Sequence, residues 1–266
     1  MTEERPPTAE IGIIGGSGFY ELLEDAERIE VATPYGAPSD AISIGTTGGR
    51  RVAFLPRHGA DHRFPPHRIN YRANLWALRS LGVGRVLAPC AVGSLRRELG
   101  PGSIVVPDQL VDRTSGRAST FYDEGAVHVS FADPYCVHGR AAVLRAAAAG
   151  EEVHDGGTMV VIEGPRFSTR AESQWFASAG WSLVNMTGQP EAALARELAL
   201  CYTSVALVTD VDAGIDAAES VEQTEVMRVF AKNAERLRRL VLETVRLLPR
   251  DRDCACPRVL DGIGAH

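Results

Sequence analysis

The residues able to do chemistry sit where apolar runs of the chain end. "IGIIGGSGFY", from Ile11 to Tyr20, passes from a hydrophobic run into three glycines in four residues, with one hydroxyl, Ser17, among them. Bare backbone amides beside a hydroxyl suit an anion. The loop lacks the Gly-Lys-Ser/Thr ending of an ATP loop and the Gly-x-Gly-x-x-Gly spacing of a dinucleotide loop, which leaves a smaller anion such as free phosphate. A plain tight turn uses the same glycines. "RVAFLPRHG" ends in Arg57 and His58, and a guanidinium at a strand end offers a planar fork to phosphate oxygens. The alternative is an ordinary surface pair. "TDVDAG" sets Asp210 and Asp212 two apart, so a continuing strand points both carboxyls to one side. Such a pair serves a metal, acid-base chemistry or a solvated loop. No His or Cys cluster with ligand spacing lies near it, which argues against a metal. A carboxyl kept protonated by partial burial can donate to a heterocycle nitrogen and act as general acid to a leaving base.

These groups act together only if the elements carrying them end at one edge. "IGIIGG", "RVAFLPR", "RVLAPCAV", "SIVVPD", "MVVIEG", "SLVNM" and "SVALVTD" are near-continuous apolar runs, the pattern of strands buried on both faces. Helical patterns alternate with them, such as Tyr71 to Gly82, which stops on a glycine. A long amphipathic helix is expected from Glu222 to Leu248, with Val226, Met227, Phe230, Leu237, Leu240, Val241, Val245 and Leu248 on its apolar stripe. The expected fold is α/β, a single domain with a central mixed β-sheet flanked by helices. It spans residues 10–250, with flexible termini at 1–9 and 251–266. Six polar strand ends converge on one crevice, where open α/β sheets place ligands.

Composition narrows the class of function. With 266 residues and 45% hydrophobic content, the chain has ample material for a core. A net charge of -6 and a pI near 5.7 argue against a nucleic-acid or membrane-surface protein, both of which need a basic face. No apolar run of about 18 residues appears. "MTEERPPTAE" is charged and proline-bearing where a secretory leader has an apolar core, so a cytosolic protein is expected. Five cysteines at irregular spacing read as reduced thiols.

The polar ends stand in longer blocks. "LPRHG", "CAVGSLRRELGPGSIVVPDQLVDRTSGR", "FADPYC", "GTMVVIEGPRFSTRAES", "NMTGQPEAALARELALCY" and "TDVDAG", with the glycine loop, resemble the S-methyl-5'-thioadenosine phosphorylase branch of the trimeric purine nucleoside phosphorylase family. The resemblance covers about residues 10–248. It implies a nucleoside phosphorylase-like fold and phosphorolysis of S-methyl-5'-thioadenosine, with inorganic phosphate as co-substrate and no metal or organic cofactor. It also implies that Ser17, Arg57, His58, the backbone at Cys90 and Ala91, and Thr187 hold phosphate. Met186 then packs by the ribose, Phe167 stacks on the purine, and Ser168 sits where base preference is tuned. Asp210 is assigned proton donation to N7, with Asp212 assisting at the amino edge.

The resemblance further implies a homotrimer whose "VHVSFADPYC" segment reaches the neighbouring site through His128; a structural histidine is the plainer reading. Gln223 falls where methylthio-specific relatives carry an apolar residue, which suggests a range widened toward 5'-hydroxyl or 5'-halogen nucleosides, and a surface glutamine is the alternative. "TDVDAG" departs from relatives that continue Asp-Cys-Trp, the difference falling in the loop after Asp212. Cys254 and Cys256 match the place of tail disulfides in some archaeal relatives, and are read here as reduced thiols. Two other classes stay open: a nucleoside-binding protein without chemistry, and a hydrolase using water in place of phosphate. A broader purine nucleoside phosphorylase is the near alternative.

Overall fold

Strands that are apolar at every position need cover on both faces, and this sheet has it. The structure is a computed structural model describing residues 8–16, 23–148, 150–215 and 220–263. In chain order the strands are β1 (Ile11–Gly15), β2 (Glu24–Ile29), β3 (Ile42–Thr47), β4 (Arg50–Pro56), β5 (Arg85–Ser94), β6 (Ile104–Val106), β7 (Gln109–Arg113), β8 (Val153–Asp155), β9 (Thr158–Ile162), β10 (Leu183–Asn185) and β11 (Cys201–Val211). The helices are α1 (Tyr71–Ser80), α2 (Val137–Ala147), α3 (Arg170–Ser178), α4 (Gly188–Glu197) and α5 (Gln223–Leu247).

Side chains alternate between two cores as strand geometry requires. Ile14, Ala53, Leu55, Val86, Ala88, Ala206 and Val208 pack with α1 and α4. Ile11, Ile13, Val52, Phe54, Leu87, Val205 and Leu207 pack with α2 and α5. Each such fully buried Ile or Leu side chain contributes roughly 1.5–3 kcal/mol. The result is a mixed sheet between two helical layers, the expected α/β class. On α5 the stripe from Phe230 through Leu237, Leu240, Val241 and Val245 is buried, as expected. Met227 departs from that stripe: it is 46% exposed, and burial on α5 begins at Val229.

The sheet order runs β2-β3-β4-β1-β5-β10-β9-β7, with β11 on the other edge of β5 and β6 and β8 beyond it. β5 is the pivot. Its full length from Arg85 to Ser94 pairs with β11, while its opposite edge pairs with β1 only over Arg85–Leu87 and with β10 only over Gly93–Ser94. Between those stretches the sheet splits, and the residues from Ala88 to Val92 face a gap bordered by the ends of β1, β4 and β10.

Candidate active site

The gap in the sheet leaves β5 carbonyls without strand partners, and side chains take them up. Arg57 Nη1 donates to Pro89 O at 3.0 Å, and Asn185 Nδ2 donates to Ala91 O at 3.1 Å. In a strand the N–H and C=O of one residue leave by the same edge, so the Ala91 amide faces the gap as well. Cys90 points its thiol the other way, to the Ser204 hydroxyl at 3.5 Å, and burial pushes its pKa up. The backbone of this stretch, and not the thiol, is what faces the gap.

Arg57 follows β4 directly, with its amide on Gly15 O at 2.8 Å, so the end of the glycine run lies beside it. Its guanidinium is buried and heavily engaged. Nε and Nη2 bind the two oxygens of Glu191 at 2.8 and 2.9 Å, Nη2 also reaches Ile14 O at 2.9 Å, and Tyr202 donates its hydroxyl to Glu191 at 2.7 Å. Burial alone would lower the Arg57 pKa; the Glu191 carboxylate outweighs it and raises the value. Four of the five Arg57 N–H groups are so used, which among the described residues leaves one donor on Nη1 for a ligand. His58 hydrogen-bonds Phe64 O through Nδ1 at 2.8 Å, and since a carbonyl only accepts, Nδ1 carries the proton. Burial lowers its pKa to about 4, so the ring is neutral at pH 7 and presents a bare Nε2.

β10 ends in a turn built by Asn185, whose Oδ1 accepts from the amides of Thr187 and Gly188 at 2.8 and 2.6 Å. That turn sets Thr187 just before α4, whose second residue, Gln189, is still extended (φ -122°, ψ 130°), and the Thr187 hydroxyl is not used as a cap. Arg117, from the loop after β7, ties this turn to the end of β9: it donates to Met186 O at 2.9 Å, Gln189 O at 2.6 Å, Glu163 O at 2.6 Å and Glu163 Oε2 at 3.1 Å. Met186 lies against Gly164, where a Cβ would come within 2.6 Å of its sulfur. Gly164 has φ +61°, so any other residue there is both strained and in collision with Met186.

The two aspartates end β11. An irregularity at Thr209 shifts the register so that Val208 opposes Val92 and Asp210 opposes Gly93. A Cβ on Gly93 would lie 3.0 Å from Asp210 Oδ2 and 3.6 Å from Asp212 Oδ1, so both carboxyls lie over this glycine on one side of β5. Burial raises Asp210 to about 6, against the pull of the Thr209 hydroxyl bound at 2.8 Å. Burial also raises Asp212, which accepts from Ser173 Oγ at 2.6 Å. Ser173 comes from the first turn of α3, begun by a capping box in which Thr169 and Glu172 satisfy each other's amides at 3.2 and 2.7 Å. This start places half-buried Phe167 and buried Ser168 at the turn between β9 and α3. The buried Ser168 hydroxyl lies beside Asp212 and, like Ser173, pulls against the rise of that carboxyl's pKa.

The fold thus gathers Arg57, His58, the Ala91 backbone, Met186, Thr187, Phe167, Ser168, Asp210 and Asp212 around the split in the sheet. Ser17 lies outside the described residues. His128, on the long loop before α2, and Gln223, at the start of α5, are exposed and make no side-chain hydrogen bond to this group among the described residues. Glu191, Asn185, Arg117 and Ser173 were not singled out by sequence. The Thr-x-x-Glu capping signal before α3 pointed toward Ser173, and the Asn-x-Thr-Gly turn toward Asn185; nothing in the local sequence marks Arg117.

A split mixed sheet with an arginine, a neutral histidine and the Asn185 turn on one side, and two raised carboxyls on the other, defines a single-domain α/β enzyme of the nucleoside phosphorylase type. The model of the phosphorylase superfamily matches residues 10–246, and the chain belongs to that family. It is 60% identical to the purine nucleoside phosphorylase of Streptomyces coelicolor, over 96% of this chain and 95% of that protein. It is 61% identical to the S-methyl-5'-thioadenosine phosphorylase of Mycolicibacterium smegmatis, over 92% and 93%. The methylthioadenosine phosphorylase of Schistosoma mansoni in complex with adenine superposes with a TM-score of 0.88 at 39% identity, covering 92% of this chain and 93% of that one. Among the described residues no helix is long and apolar enough to cross a membrane.

Proposed function

We propose that the protein splits S-methyl-5'-thioadenosine with inorganic phosphate, giving adenine and 5-methylthioribose 1-phosphate, as a pentosyltransferase of purine and methionine salvage. The observation that carries this reading is Asp210, a half-buried carboxyl raised to about 6 and paired over Gly93 with Asp212. Near neutrality such a group still samples its protonated form, which a general acid to a purine needs.

A phosphate oxygen attacks the anomeric carbon as the bond to N9 breaks. The electron pair of that bond goes to the base, and the proton of Asp210 goes to N7. Positive charge on the sugar is met by the phosphate anion below it, and the charge on the base by the carboxyl donor. Phosphate rests on the outer Nη1 N–H of Arg57, the Ala91 amide, Thr187 and Ser17. Neutral His58 takes part by accepting the phosphate's own P–OH at Nε2, or by taking up a proton as the dianion binds. Holding the nucleophile there makes the attack local, a gain of at most roughly 7–11 kcal/mol. Phe167 stacks on the purine, Met186 packs on the ribose, and Ser168 and Asp212 read the base edge.

The assembly under this reading is a homotrimer in the cytosol, with exposed His128 reaching the 5' pocket of the neighbouring subunit. Gln223 sets tolerance at the 5' end. Base release from methylthioadenosine, adenosine and inosine, each with and without phosphate, tests the proposal. Phosphate-dependent adenine release led by methylthioadenosine is the expected result. Leadership by adenosine or inosine would make it a broader phosphorylase, release indifferent to phosphate a hydrolase, and no release a binding protein.

A further inference from the structure

Four of the five cysteines meet at the opposite end of β11 from Asp210. Cys136 precedes α2, Cys201 opens β11, and Cys254 and Cys256 come from the C-terminal segment. All four are buried and unbridged, and their sulfurs lie within 4.8 Å of one another. Cys201 Sγ is 3.4 Å from Cys254 Sγ, which is 3.8 Å from Cys136 Sγ. Spacing along the chain gives no metal signature here, because three separate elements supply the ligands.

Separations of 3.4 and 3.8 Å, with all four sulfurs within 4.8 Å of one another, bracket those around one tetrahedral ion. With Zn–S bonds near 2.3 Å, the sulfurs of a tetrathiolate centre stand roughly 3.8 Å apart. Two disulfides need closeness only within each pair, and an iron–sulfur cluster of four irons holds its thiolates farther apart. The surroundings match the charge of such a centre. Four thiolates and a divalent cation sum to -2, and two guanidiniums face the sulfurs: Arg252 Nε donates to Cys201 Sγ at 3.5 Å and Arg196 Nη1 to Cys256 Sγ at 3.8 Å. Both guanidiniums are anchored on backbone carbonyls, Arg252 on Ala199 O and Arg196 on Asp133 O, and so hold positive charge against the sulfurs.

We propose that these four cysteines bind one Zn²⁺ per chain, forming four Zn–S bonds as four thiol protons leave, with no change of oxidation state. With all four positions taken by protein, the site is structural. It fastens the C-terminal segment to the body, where Arg85 Nη2 also holds Arg250 O and Asp251 O at 2.9 and 2.7 Å.

The test is metal analysis of protein purified under reducing conditions, with the Cys254→Ser/Cys256→Ser double variant alongside and Co²⁺ substituted into metal-stripped wild type. Expected are about one zinc per chain, less than a tenth of that in the variant, and the visible absorption of tetrahedral tetrathiolate cobalt in the substituted protein. The variant should keep its base-release rate and be cut near residue 250 at least tenfold faster by protease. The proposal is overturned if reduced wild type takes up neither ion, if zinc content is the same in the variant, or if mass analysis finds these cysteines paired as disulfides. Should the variant fail to fold, the cobalt spectrum and metal content of wild type still decide the matter.

Discussion

Arg57 and Glu191 form a bidentate ion pair, Nε to Oε2 at 2.8 Å and Nη2 to Oε1 at 2.9 Å, with side chains only 2% and 0% exposed. The cation assigned to phosphate is therefore also the partner that keeps a buried carboxylate tolerable. Breaking such a pair from one side costs about 3–5 kcal/mol, while replacing both partners by apolar groups is often close to neutral. Glu191→Ala and Arg57→Met should each lose stability on that scale in chemical denaturation. The Arg57→Met/Glu191→Leu double variant should regain most of it yet keep a KM for phosphate raised at least tenfold. A double variant with normal phosphate KM would make the pair purely structural.

Asp210 links catalysis to stability with opposite signs. Its raised pKa means that wild type loses stability as pH climbs from the unfolded value near 4 through about 6. Asp210→Asn should then be the more stable protein at pH 7–8, by up to about 3 kcal/mol, with the two converging at lower pH. The same substitution should cut kcat roughly a hundredfold or more. Wild-type kcat/KM should fall above about pH 6, and the substitution should abolish that fall. Denaturant melts at pH 4 and pH 7.5, with a pH–rate profile, check both signs.

Both carboxyls lie over Gly93 of β5. Gly93→Ala places a methyl 3.0 Å from Asp210 Oδ2, so that carboxyl must move by a few tenths of an ångström. Misplacement of a proton donor lowers kcat more than it raises KM. A tenfold or greater drop in kcat is expected, with the melting temperature shifted by only a few degrees. Unchanged kcat would argue that the proton comes from elsewhere.

His58 is neutral at pH 7, held so by burial, and its Nδ1 proton is committed to Phe64 O. A bound phosphate dianion should raise its pKa well above 4. Calorimetric titration of phosphate in buffers of different ionisation enthalpy should therefore show proton uptake between pH 6 and 7, lost in His58→Asn. Equal uptake in wild type and variant would remove His58 from the phosphate site.

Much of this was legible in the sequence because it is local. Apolar strands announced the two-sided sheet, and their polar ends announced Arg57, His58, Thr187, Asp210 and Asp212. The Thr169–Glu172 capping box was also open to reading, but its consequence, Ser173 on Asp212, needs the approach of α3 to β11. Glu191 and Arg117 act across long sequence separations, 134 residues from Arg57 and 72 from Gln189. No local pattern encodes such distances. The four-cysteine cluster escaped for the same reason, and the segment from 251 onward, expected as a flexible end, carries two of its buried members.

The most direct measurement follows phosphorus. Phosphorus NMR of the enzyme with methylthioadenosine and inorganic phosphate should show a sugar 1-phosphate resonance growing in step with free adenine, mole for mole, as the phosphate signal falls. Adenine released with the phosphate signal unchanged would mean that water, and not phosphate, attacks the sugar, and the account would be wrong at its centre.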